Sequence, residues 1–90
     1  MSTEVDAILD ERGSRYGSFY ANADTAQLLK QAMESLDGWE RLQVDQCEAL
    51  HMIAHKISRI LNGDPNYTDS WIDIAGYAKL VADRLEGNEQ

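Results

Sequence analysis

Apolar residues recur along this chain at intervals of three and four, the period at which one side of an α-helix meets a core. The rhythm is clearest over Cys47, Leu50, Ala54, Ile57 and Leu61, with Ile53 and Ile60 broadening the stripe. It predicts a helix over about 44–62. Asp45 suits the positive N-terminal end of that helix, and Lys56 and Arg59 lie toward its negative C-terminal end. Asn62-Gly63 closes it, and Asp64-Pro65-Asn66 prevents continuation. A further helix should start near 66–69 and finish by Gly87, burying Trp71, Ile74, Ala75, Ala78, Val81 and Leu85. So short a connection makes the two helices antiparallel neighbours.

Upstream, Ala26, Leu29, Met33 and Leu36 mark one face of a helix that starts at Tyr20 or Asn22 and stops before Asp37-Gly38. Trp39 and Leu42 then fit a short turn plugging the bundle from beneath. A first short helix, about 3–11, has Thr3 as its N-cap and Val5, Ile8 and Leu9 as an apolar edge. Beyond it the chain is punctuated by Gly13 and Gly17, so 12–19 reads as a loop. No segment reads as a strand. The expected fold is all-α: one domain over 1–90, a small bundle of about four helices ending in an antiparallel hairpin. The first two helices offer little area to cover the broad faces of the last two, so the bundle should be completed by a homo-oligomer.

Composition narrows the choice of partners. Sixteen acids against eight bases give a formal charge of −8, with 43% hydrophobic and 27% charged residues. Such a chain is globular, lacks the clustered cations that nucleic acid requires, and is repelled by anionic membranes. Cys47 stands alone, so no intrachain disulfide can form, and a reducing cytoplasm is the expected setting. The opening MSTEVDAILDERG is acidic and has no long apolar run, so neither a signal peptide nor a membrane anchor is expected there.

The candidate chemistry lies beside the apolar stripes. Glu48, His51, His55, Lys56 and Arg59 form an ionisable row on the third helix, and Asp69, Asp73 and Tyr77 another on the fourth. Asp69 and Asp73, four apart, share a helical face and call for a positive partner. That partner could be Lys56 and Arg59 in an ion-pair network, a ligand, or a divalent cation such as Mg2+. His51 and His55 have the spacing of two zinc ligands, but no third ligand accompanies them, so a half-buried histidine pair is the plainer reading. The stretch Arg12-Gly13-Ser14-Arg15-Tyr16-Gly17-Ser18-Phe19 concentrates two arginines and two glycines in an acidic chain. Arginine grips phosphate bidentately and glycine lets backbone amides approach an anion, while Tyr16 or Phe19 offers a face for a base or ribose. The same arginines could equally pair with surface acids such as Glu11. Asn66, Tyr67 and Trp71 are further possible ligand contacts near the turn. Nothing supports a nucleophile.

Two segments carry a resemblance: ILDERGSRYGSF at 8–19 and MIAHKISRILNGDPNYTDSWIDIAGYAKLVADRL at 52–85. They resemble a family of small, functionally unassigned proteins of tailed phages and prophages. The helix–turn–helix with acids on its second helix also looks, more loosely, like the MazG-like all-α nucleotide pyrophosphohydrolases. In those enzymes two acidic rows hold Mg2+ against a nucleotide phosphate. Here Glu48, Asp69 and Asp73 would stand for the metal ligands, yet His51, His55, Lys56 and Arg59 occupy the first row where acids are expected. That departure favours binding over turnover.

The expectation is therefore a non-catalytic, cytoplasmic nucleotide binder that works without a cofactor. Arg12, Arg15, His55, Lys56 and Arg59 would contact phosphates; Tyr16, Tyr67, Asp69, Trp71 and Asp73 would contact base or ribose. The resemblance implies a role in an infected or lysogenic bacterium, sequestering a nucleotide signal of host defence. The alternatives are a Mg2+-dependent pyrophosphohydrolase and an acidic protein inhibitor of a host factor.

Overall fold

Residues 3–88 are described by the computed structural model. They form helices α1 (Thr3–Tyr16), α2 (Phe19–Glu34), α3 (Val44–Asn62) and α4 (Thr68–Leu85), with a 3-10 turn at Asp37–Arg41 between α2 and α3. No strand occurs among the described residues, and none of their helices is long and apolar enough to cross a membrane. The all-α expectation holds, and α3 and α4 start and stop where the sequence places them.

Local chemistry explains the boundaries. Ser18 is extended, and its Oγ accepts from the Ala21 amide at 3.1 Å, capping α2. Gln43 and Gln46 form a reciprocal capping box at the start of α3, where the Gln43 amide donates to Gln46 Oε1 at 2.8 Å. Gly63 ends α3 by donating its amide to the Arg59 carbonyl at 2.9 Å.

The expected loop at 12–19 is corrected: α1 runs through Gly13 as far as Tyr16. One glycine weakens a helix by about 1 kcal/mol without stopping it. Ser14 Oγ donates to the Glu11 carbonyl at 2.7 Å, and Arg15 pairs with Glu11 at 3.2 Å, both reinforcing the last turn. The break falls at Gly17, whose φ of +83° lies in the region that favours glycine. The capping role expected of the Thr3 side chain lies outside the described residues.

Both interhelix pairings run antiparallel. Asp45 meets Arg84 and Lys56 meets Asp73 across α3 and α4, while Glu34 meets His51 and Lys30 meets His55 across α2 and α3. Helix α3 is thus flanked by α2 and α4, and α1 crosses it. The flanking pair do not pack on each other to a comparable extent. The result is an open bundle.

Openness shows in what is buried. The core positions are Ala26, Ala49 and Ala54, with Ser58 and Ser70. Ile74 and Val81 are half-buried, as are Leu29, Met33, Leu50 and Ile57. Several residues expected inside are outside: Leu36, Leu61, Trp71 and Leu85 are exposed, as are Ala75 and Ala78 and the α1 edge Val5, Ile8 and Leu9. Periodicity marked these stripes correctly as apolar, but one chain lacks the elements to cover them. Trp39 stacks its ring on His51, with centroids 5.1 Å apart.

Candidate functional site

The end of α1 and the turn after α3 cross backbone to backbone. The Asp64 amide donates to the Arg15 carbonyl at 2.7 Å. A Cβ on Gly63 would collide with the backbone of Arg15 and Tyr16, and one on Gly17 with the Asn62 carbonyl. Only glycine at both positions lets the two stretches of backbone approach so closely.

This crossing fixes a run of alternating cationic and aromatic groups. The Arg59 guanidinium lies 4.5 Å from the Tyr16 ring centroid, and that of Arg15 lies 4.6 Å from Tyr67. The two tyrosines meet edge-on at 5.6 Å. Each cation–π contact at such a partly exposed site is worth about 0.5–1 kcal/mol. The Tyr67 hydroxyl donates to Asp69 Oδ2 at 2.9 Å, and that bond raises its pKa above the usual phenol value despite the nearby Arg15.

Beside the stack lies a hollow of about 460 Å³, lined by Arg12, Gly13 and Tyr16 of α1, Ser18 and Asn22 at the start of α2, and Arg59 of α3. Leu9 and Phe19 form its apolar rim. Neither Arg12 nor Arg59 has a carboxylate partner among the described residues. The first turn of α2 contains no acid, and its leading amides carry the positive end of the helix dipole. Asn22 Nδ2 donates to the Tyr16 carbonyl at 2.8 Å, whereas its Oδ1 is buried without a hydrogen-bond donor. The hollow therefore offers positive charge for an anion.

Other residues expected at the site sit elsewhere. Lys56 is turned toward α4 and pairs with Asp73 at 3.0 Å, with its side chain only 12% exposed. His55 faces α2, where Lys30 Nζ lies 3.1 Å from its Nε2. Burial, then the charges of Lys30, Arg59, Lys56 and His51, hold the His55 pKa below the ordinary imidazole value. A neutral His55 accepts from Lys30. Trp71 donates its indole N–H to the Pro65 carbonyl at 2.8 Å and does not line the hollow. Arg12, Tyr16 and Arg59 are thus brought together, Arg15 and Tyr67 join them through the stack, and His55, Lys56, Asp69, Trp71 and Asp73 are engaged outside the hollow.

The acids do not converge either. Among the described residues no three of His, Cys, Asp and Glu gather in a geometry that could hold a metal ion. Asp69 accepts from Tyr67, Asp73 holds Lys56, and His51 pairs with Glu34 at 3.1 Å. Glu48 is exposed, eight residues or about 12 Å of helix from Lys56. It lines a separate groove with Asp45, Tyr77 and Arg84.

Sequence reasoning missed Asn22, Lys30 and the capping role of Ser18, which it reads only as a hydroxyl donor. Ser18 carried a usable signal, a hydroxyl residue just before a helix. Asn22 and Lys30 carried none, since their roles come from tertiary placement.

The chain belongs to the DUF6378 family. The family model, described as a domain of unknown function, matches residues 1–85. No curated protein and no solved structure matches the chain. Both the RGSRYG stretch and the turn after α3 that form the crossing fall within the DUF6378 match.

Proposed function

We propose that this chain binds a phosphorylated small molecule of nucleotide type and releases it unaltered. The observation that carries the reading is the hollow at the α1–α2 junction. There Arg12 and Arg59 stand without carboxylate partners among the described residues, beside an acid-free helix N-terminus. Phosphate would lie against the two guanidinium groups and the leading amides of α2. Tyr16 already stacks on Arg59 and would supply a flat face for a base or ribose. A volume of about 460 Å³ falls in the range of small-molecule sites.

Non-catalytic binding is favoured because the acids are dispersed and Asp73 is engaged by Lys56. The resemblance to small phage proteins supports a biological role in sequestering a nucleotide signal inside an infected bacterium. Calorimetry against nucleoside triphosphates, cyclic dinucleotides and ADP-ribose tests the binding. Arg59→Ala and Arg12→Ala should each weaken it at least tenfold, and the ligand should be recovered intact after denaturation. Absence of binding by every nucleotide at tens of micromolar overturns the proposal. Pyrophosphate release that stops with EDTA would replace it with the MazG-like hydrolase reading.

A further inference from the structure

Helix α4 packs on α3 through Ser70, Ile74, Tyr77 and Val81, and leaves an adjoining outer side in solvent. That outer side is not polar. Trp71, Ala75, Ala78, Ala82 and Leu85 are all exposed, with Trp71 at 54% and Leu85 at 59%. Their spacing is 4-3-4-3, the seam of a helix that packs lengthwise against another helix. Ile72, also exposed, flanks this face on its outer edge.

We infer that this seam is the contact between two copies of the chain, paired antiparallel about a two-fold axis at Ala78. Read outward from Ala78, the pattern is self-complementary. Antiparallel pairing sets Trp71 of one copy against Leu85 of the other, and Ala75 against Ala82. Alanine at the centre allows close approach of the helix axes, about 8 Å, while the bulky residues close the two ends. A two-fold contact requires this kind of matching, because each residue must fit its symmetry mate. Trp71 is prepared for it: its N–H is satisfied by Pro65, so its ring can be covered without stranding a donor. Lys79, on the flank, is matched within its own helix by Asp83 at 2.7 Å.

The areas agree. The chain exposes 6474 Å², whereas a compact chain of its mass would expose roughly 5,300 Å². The excess, about 1,200 Å², is what one protomer hides in an ordinary to large dimer interface. Likewise its radius of gyration is 15.2 Å, against about 12 Å for a compact domain of this length. The largest side chain hidden completely is a serine, so a single copy has little core of its own.

Sedimentation equilibrium of the full chain at 1–100 μM is the test. The expected species is a dimer that tightens as salt rises, because two copies each carrying −8 repel. Ala78→Glu, a change at an exposed position, should raise the dissociation constant at least a hundredfold. For orientation, Trp71→Cys and Leu85→Cys are made separately in a Cys47→Ala background, mixed and oxidised. Disulfides between the two variants support the antiparallel seam. A monomer at 100 μM assigns the face to another partner and overturns the inference. So does a dimer indifferent to Ala78→Glu, or cross-linking of each variant only to itself.

Discussion

Arg84 grips both carboxylate oxygens of Asp45, Nη2 to Oδ1 at 2.6 Å and Nε to Oδ2 at 2.7 Å. The pair ties the last turn of α4 to the first turn of α3, at the end of the hairpin opposite its connecting turn. One end of the hairpin is therefore closed by covalent chain and the other by a bidentate ion pair. Each partner also sits where the dipole of its helix favours its charge.

That pair makes the hairpin sensitive to acid. Its hydrogen bond to Arg84 is the main reason the Asp45 pKa is held below the ordinary carboxylate value. A carboxylate with a lowered folded pKa contributes stability that is complete above about 3.9 and is lost as pH falls through the folded value. Acid denaturation followed by circular dichroism should show this, and Asp45→Asn should abolish that part of the pH dependence. Arg84→Met should do the same while lowering the melting temperature at pH 7.

Two glycines should respond in opposite ways to the same substitution. Gly63→Ala forces a methyl into the Arg15–Tyr16 backbone and should cost about 3 kcal/mol, with loss of the α1 crossing. Gly13→Ala meets nothing within 4 Å and lies inside α1, so it should stabilise by roughly 0.5–1 kcal/mol. Urea denaturation of the two variants beside the parent chain measures both. Equal destabilisation would mean that the crossing at Gly63 is not the tight point described.

The contrast also shows what was legible in the sequence. Helix periodicity and the Asn-Gly-Asp-Pro turn located α3 and α4, because both signals are local. The RGSRYG stretch was recognisable as special, but its two glycines looked equivalent. Only tertiary contact separates them: Gly13 is spectator to a continuing helix, while Gly17 terminates it and touches Asn62. For the site, Arg12, Tyr16 and Arg59 could be nominated from charge and spacing. Lys56 could not be separated from Arg59, because three positions on a helix decide whether a side chain turns to α4 or to α1. The apolar spacing was visible, but which of its positions are covered was not: on α4 Ile74 and Val81 turn to α3 with Ser70 and Tyr77, while Trp71, Ala75, Ala78 and Leu85 stay exposed.

Asn62 holds α2 against the end of α3 with a single amide group. Its Nδ2 approaches Thr25 Oγ1 at 2.9 Å, the Ser58 carbonyl at 3.0 Å and the Ala21 carbonyl at 3.3 Å. Replacing it strands partly buried acceptors, at about 1–3 kcal/mol for the group. Asn62→Ala should therefore lower stability by about that amount, whereas Thr25→Val should cost less, because two carbonyl acceptors keep their donor. Asn62→Asp should be worse than alanine, since it places acceptors against acceptors. Chemical denaturation of the three variants gives the ranking.

His55 should make the α2–α3 interface weaken just below neutral pH. Its folded pKa lies below the ordinary value of about 6.5, chiefly through burial and then through Lys30, Arg59, Lys56 and His51. Below 6.5 the unfolded chain binds a proton that the folded chain refuses, so stability rises with pH across that window. It is fully present above 6.5 and is lost as pH falls toward the depressed folded value. Protonation would also convert the acceptor of Lys30 into a like-charged neighbour 3.1 Å away. Lys30→Met should move the pKa back toward 6.5, since it removes the charge while keeping most of the buried stem. A proton NMR titration of the His55 ring measures both shifts, and His55→Gln should flatten the corresponding part of the stability profile. A ring in the parent chain titrating at or above 6.5 would show that the imidazole gains its proton as readily folded as free.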